Sequence, residues 1–169
     1  MTRTASGPTG RRHQGETTAM PGRPVRSILH RRRFCPGGLV SAGPNETARD
    51  GARRMAEARC GSVLVVDDGR MLGIFTERDL LVRVVAEGRD AARTPLAEVM
   101  TAGPETIGAD EPVEEAVRRM DEGGLRHLPV VEGDGSVLGV LSTRDIPALA
   151  LGRMAGELHE RRRLAERVR

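Results

Sequence analysis

The chain has 169 residues, 38% hydrophobic and 30% charged, enough for one compact domain or two small ones and too few for a large catalytic assembly. Two Phe, no Tyr, no Trp and no Lys argue against base-stacking platforms and exclude Schiff-base and P-loop lysine chemistry. The net charge of +3 is unevenly spread: residues 1–33 hold eight Arg against Glu16 alone, whereas the remaining 136 carry 19 Arg against 23 Asp and Glu.

Residues 1–24 mix Arg and Thr with Gly7, Pro8, Gly10, Gly15, Pro21, Gly22 and Pro24, show no hydrophobic period, and are expected to be a disordered tail. Met20 offers a second start position within it. Val25, Ile28 and Leu29 predict a single helical turn, and a short strand is expected over 39–42. A helix then opens after Asn45 as capping residue, with Ala48, Ala52 and Met55 on one face. The run Val63–Val66 reads as a strand buried on both faces, and Asp67-Asp68-Gly69 as a tight turn into a second strand ending at Thr76. Thr76 and Asp79 have the spacing of a capping box at the start of a second helix.

The same grammar recurs about sixty-five positions on. A strand near 105–107 precedes a helix capped by Asp110 and carrying Val113, Val117 and Met120, and Arg118-Arg119 repeats Arg53-Arg54. Leu128-Pro129-Val130-Val131 matches Val63–Val66, and Leu138-Gly139-Val140-Leu141-Ser142-Thr143-Arg144-Asp145 matches Leu72–Asp79. The unit is strand, helix, strand, strand, helix, present twice. Pro147 falls inside the expected last helix of the second copy and should kink or delay it. From Ala148 the composition is helical, with Leu151, Leu158 and Ala165 seven apart, which suggests a dimer-contacting or solvated helix.

Cys35 and Cys60 show neither disulfide nor zinc-ligand patterning; Cys60, beside an apolar run, reads as a core residue. No apolar stretch approaches the ~20 residues of a membrane span and no secretory h-region is present, so a cytoplasmic protein is expected. There is no Ser-His-Asp, Cys-His or metal-ligand constellation, and the reading is non-enzymatic.

Taken together, Val63–Asp67, Leu72–Asp79, Pro95-Leu96-Ala97-Glu98-Val99-Met100-Thr101 and Arg126-His127-Leu128-Pro129-Val130-Val131 resemble the CBS domain, and the doubled unit resembles a Bateman module. The resemblance covers residues 39–150 well and 25–38 weakly. It implies an α+β fold of two β-α-β-β-α repeats packed about a pseudo-twofold axis, with a C-terminal helix. The segments would be the tail (1–24), the first repeat with its lead-in (25–94), the second repeat with its linker (95–150) and the terminal helix (151–169). It also implies two clefts between repeats that accept AMP, ADP, ATP or S-adenosylmethionine, no required cofactor, and pairing into a homodimer.

The residues themselves allow two readings of Thr76-x-x-Asp79 and Ser142-x-x-Asp145. Each can be a plain helix cap worth ~1 kcal/mol. Each can also bind a nucleotide: the helix start and hydroxyl meet phosphate, the carboxylate accepts from ribose hydroxyls, and Arg78 or Arg144 pairs with phosphate oxygens. The resemblance adds His127 and Pro129 as cleft residues. The apolar runs Val63–Val66 and Leu128–Val131 are candidates for an adenine slot. Function then divides between a nucleotide sensor acting on a separate effector protein and a ligand-free dimeric scaffold. Nucleic-acid binding through the Arg-rich tail is disfavoured by the acidic remainder.

Overall fold

The computed structural model describes residues 22–29 and 39–146. Most of the tail, Cys35, Pro147 and the C-terminal segment 151–169 lie outside the described residues, and with them the expectations placed there.

The first repeat comprises β1 (Ser41–Ala42), α2 (Ala48–Ala58), β2 (Ser62–Asp67), β3 (Arg70–Thr76), the short helix α3 (Glu77–Asp79) and a π-helical turn, Leu80–Val85. A one-turn helix, α1 (Arg26–Leu29), precedes it, as the apolar spacing predicts. The linker holds α4 (Leu96–Val99) and β4 (Thr101–Ala102). The second repeat follows as β5 (Ile107–Gly108), α5 (Val113–Gly123), β6 (His127–Val131) and β7 (Val137–Ser142). In each repeat the first strand runs parallel to the second, and the second and third form an antiparallel hairpin. Both hairpins slip register at the equivalent place, Val65/Val66 and Val130/Val131. The α+β architecture of two tandem repeats is thus present.

Each sheet packs its helix over one apolar cluster. Met55, Val63, Val65, Phe75, Leu96 and Val99 build the first; Ile28, Val117, Met120, Leu128, Val130 and Leu141 build the second. Leu64 points to the other face of β2 yet is equally buried, so that sheet is covered on both sides. The turn between β2 and β3 uses positive φ at Asp68 and Gly69, the pairing that suits a two-residue hairpin.

Two helix starts differ from expectation. The cap of α2 is Thr47, not Asn45: the Thr47 hydroxyl accepts from the Asp50 amide at 3.2 Å, and the Asp50 carboxylate accepts from the Thr47 amide at 3.2 Å. Thr47 has a partner at the right offset for a reciprocal box, and Asn45 has none. Asp110 does not cap α5, because the Arg26 guanidinium holds its carboxylate with contacts of 2.5 and 2.8 Å. The amide of Val113 instead donates to the Arg23 carbonyl at 2.9 Å.

The segment that precedes the first repeat packs on the second. Val25, Ile28 and Leu29 are buried in the second cluster, and Arg26 also reaches Glu132 at 3.0 Å. The linker does the reciprocal job for the first repeat: Leu96 and Val99 enter its core, Leu96 N donates to Glu46 O, and Ala48 N donates to Thr94 O. Pro24 bridges Pro112 as Thr47 bridges Pro95. Each repeat is therefore closed by a strap that lies before the other in chain order or between the two.

Candidate functional site

The strand β3 delivers Thr76 to the mouth of a cleft. There the chain turns into α3 through a complete capping box: Thr76 N and Oγ1 donate to Asp79 Oδ2 at 2.9 and 2.7 Å, and Asp79 N donates to Thr76 Oγ1 at 3.2 Å. Asp79 is only 8% exposed. Its other oxygen, Oδ1, faces Arg83 Nε at 3.4 Å.

The cleft has a volume of about 260 Å³. Ile74, Thr76, Glu77, Arg78, Asp79 and Arg83 line it from the first repeat, Thr101, Pro104 and Glu105 from the linker region, and residues 123–127 from the second repeat. Thr76, Arg78, Asp79 and His127, four of the residues singled out in the sequence, are brought together here. The apolar surface comes from Ile74, Pro104 and Leu125. Val63, Val65, Leu128 and Val130, expected as an adenine slot, instead fill the two repeat cores. The alternation that makes a strand bury both faces leaves those side chains no access to the cleft.

Among the described residues, Arg78 and Arg126 approach the cleft from opposite repeats and neither has an ion pair or side-chain hydrogen bond. Arg83, in contrast, is engaged by two backbone carbonyls, the Thr101 hydroxyl and the Asp79 carboxylate. His127 begins β6 and lies against Gly61, where a Cβ would come within 3.1 Å of both His127 Nε2 and Glu77 Oε2. Burial pushes the imidazole below its ordinary value; Glu77 and Asp145 oppose that shift, and Arg126 and Arg144 reinforce it. The ring is thus neutral at pH 7 and carries both a donor and an acceptor nitrogen.

The remaining sequence candidates lie elsewhere. Pro129 is buried in β6 opposite Val140 and does not line this cleft. Ser142, Arg144 and Asp145 stand at the end of β7, where only part of the box forms: Ser142 N donates to Asp145 Oδ2 at 2.7 Å, while Asp145 N turns to the Ser142 carbonyl at 2.9 Å. The Ser142 hydroxyl accepts instead from Arg144 N at 3.3 Å. Arg83, Glu105 and Leu125 are cleft residues that sequence reasoning missed. The Gly123-Gly124 pair, ending α5 with Gly124 at φ 61, is the signal that marks this loop.

Two like α+β repeats with a cleft between them define a tandem-repeat module. The family model described as "CBS domain" matches residues 25–86 and 96–148, and the chain belongs to that family, with two copies in tandem. A protein of Methanopyrus kandleri is 35% identical over 109 residues, covering 64% of this chain and 56% of that one. The CBS domain-containing protein CBSCBSPB1 of Arabidopsis thaliana is 36% identical over 61% of this chain but only 19% of its own length. The chain therefore spans about half, or much less, of these curated relatives. Among solved structures, a CBS domain protein of Pyrobaculum aerophilum in complex with AMP matches with TM-score 0.67 and 27% identity, covering 79% of this chain and 98% of that one. A CBS-domain containing protein of Agrobacterium tumefaciens matches with TM-score 0.65 and 30% identity, over 73% and 95%.

Proposed function

We propose that this chain is a non-catalytic regulatory module that binds an adenosine-containing nucleotide in the cleft between its repeats and passes the resulting change to a separate effector protein. The observation that carries this reading is the convergence of Thr76 and Asp79 from one repeat with Arg126 and His127 from the other around a single cavity. Thr76 and the unpaired Arg78 and Arg126 suit phosphate oxygens, and Asp79 Oδ1 suits a ribose hydroxyl. A volume of about 260 Å³ lies just below the ~300–1,000 Å³ typical of small-molecule sites, which favours a mononucleotide over a dinucleotide. The AMP complex of a relative at 27% identity supports the ligand class. AMP, ADP, ATP and S-adenosylmethionine are the candidates to distinguish.

The mechanism is a population shift: a ligand touching both repeats favours the orientation in which its contacts are simultaneous. A homodimer belongs to the same proposal. Leu81, Val82 and Val85 are 61%, 53% and 61% exposed on one turn, and a second copy presenting the same turn would cover them.

Thermal unfolding of the full chain against each candidate tests the reading. A ligand at a hundred times its Kd adds about 2.7 kcal/mol, a rise of roughly 5–10 °C for a domain of this size. A rise with one adenosine ligand that Asp79→Ala abolishes supports the sensor. A folded, dimeric protein indifferent to all of them would point to the scaffold.

A further inference from the structure

Arg83 holds more backbone than any other side chain near the cleft. Its Nη1 donates to the carbonyls of Val99 and Met100 at 3.0 and 2.6 Å, and its Nη2 donates to Thr101 Oγ1 at 3.1 Å. The third nitrogen, Nε, faces Asp79 Oδ1 at 3.4 Å. One guanidinium thus spans the carboxylate at the cleft floor and the linker between the repeats. It grips that linker where Thr101–Ala102 adds β4 to the edge of β3, and where Met100 lies over Gly73 so closely that a Cβ there would meet its sulfur at 2.6 Å. Arg83 itself sits in a π-helical turn, with Ala86 N donating to Leu81 O and Arg89 N to Val84 O, an irregularity common at functional sites. The position four residues after Asp145 is Leu149, so only the first repeat carries such an arginine.

We propose that Arg83 is the positioning residue that couples occupancy of the cleft to the inter-repeat linker. This rests on the cleft being the ligand site. A ligand hydroxyl that donates to Asp79 Oδ1 takes the place of Arg83 Nε. The plane of the guanidinium then loses the contact that fixes it, and its two-handed hold on Val99, Met100 and Thr101 loosens. The linker, and with it the angle between the repeats, becomes the part of the molecule that responds. Because coupling free energies are reciprocal, a variant that already lacks the Arg83–Asp79 contact no longer opposes the ligand, and the ligand has no hold on the linker left to release.

The test is hydrogen exchange of the full chain with and without saturating AMP, beside thermal unfolding of the same samples. In the wild type, AMP raises the melting temperature while exchange of the amides over 100–103 quickens by about tenfold, the scale of one lost hydrogen bond to a charged group. In Arg83→Met those amides exchange fast without AMP, and AMP at a concentration that saturates the variant, fixed from its own thermal titration, changes them no further. Arg83→Lys, which keeps the charge and loses the fork, gives an intermediate response and serves if the Met variant does not fold. A wild-type linker unmoved by AMP that nonetheless binds overturns the proposal, as does an Arg83→Met linker that responds like the wild type. Absence of any thermal shift with AMP overturns it by removing the site on which it rests, and is recognised as that separate failure.

Discussion

In the first repeat Thr76 and Asp79 close a reciprocal cap that leads into a helix, whereas Ser142 and Asp145 in the second share only one of those bonds. The opposite inequality holds at the start of the central strand. The second repeat places Arg126 and His127 there, and the first has Gly61 and Ser62 in the matching positions. Glu77 N donates to Gly61 O and Thr143 N to Arg126 O, so the backbone frames correspond. Duplication has supplied two equal frames, and divergence has collected the ordered carboxylate of one and the basic pair of the other around the same cleft. A site built from opposite halves of a repeat is sensitive to how the halves are oriented, which a site within one half would not be.

Breaking a strap gives the largest effect. Leu96 and Ile28 belong to the two straps, one buried in each core. Truncating a buried Leu or Ile to Ala costs about 2–5 kcal/mol, so Leu96→Ala and Ile28→Ala should each lower the free energy of unfolding by that amount, read from the shift of the denaturant midpoint. Equal losses in chemical unfolding sharpen the equivalence of the straps; a harmless Ile28→Ala would mean that the segment 22–29 contributes little to the second core.

Exchanging the basic pair comes next. Arg126→Gly with His127→Ser gives the second repeat the first repeat's residues. Removal of the charged Arg126 hydrogen bond, ~1.5–3 kcal/mol, should weaken a phosphate-bearing ligand by roughly ten- to a hundredfold in calorimetry at pH 7.5, and leave adenosine nearly unaffected. Equal weakening of adenosine and AMP would show that these side chains do not meet phosphate. The caps differ by less. Thr76→Ala removes a hydroxyl from a complete box and should cost about 1 kcal/mol, and Ser142→Ala only a fraction of that, because its box is half made.

The parts of this comparison that could be read from the sequence are those written in side-chain patterns. The helix period at Met55 and Met120, the paired apolar runs, and Gly-x-x-Thr/Ser-x-x-Asp fix two like units and place Thr76 and Asp79 at a helix start. The straps were legible only in part. Pro24-Val25 and Ile28 do parallel Pro95-Leu96 and Val99, but which core they enter is decided by tertiary closure and not by their period. Arg83 left little trace, since three of its four partners, two of them backbone oxygens, lie on a linker sixteen to eighteen residues away. The strand β4 has two residues and owes its pairing to Gly73, whose missing side chain admits the linker. The caps Asn45 and Asp110 failed for a similar reason, because a long-range arginine claimed one and a better-spaced Thr-Asp pair displaced the other.

His127 gives the smallest and most specific test of the shared cleft. Its folded value lies below the ordinary 6.5 because burial disfavours the charged ring. The unfolded chain therefore binds the proton more readily, and the contribution of His127 to stability, fully present above pH 6.5, declines as pH falls through that value towards its lower folded one. A bound phosphate adds negative charge beside the ring and raises its folded value, so ligand binding takes up a proton in this window. The stabilisation conferred by AMP should thus grow from pH 7.5 to pH 6, by at most the ~1.4 kcal/mol that one unit of pKa change represents. His127→Gln, which keeps a donor and an acceptor but cannot titrate, should flatten that growth while leaving the stabilisation at pH 7.5 nearly intact. If the wild-type and His127→Gln profiles run parallel between pH 6 and 7.5, the ring does not share the cleft with phosphate, and the basic pair contributes through Arg126 alone.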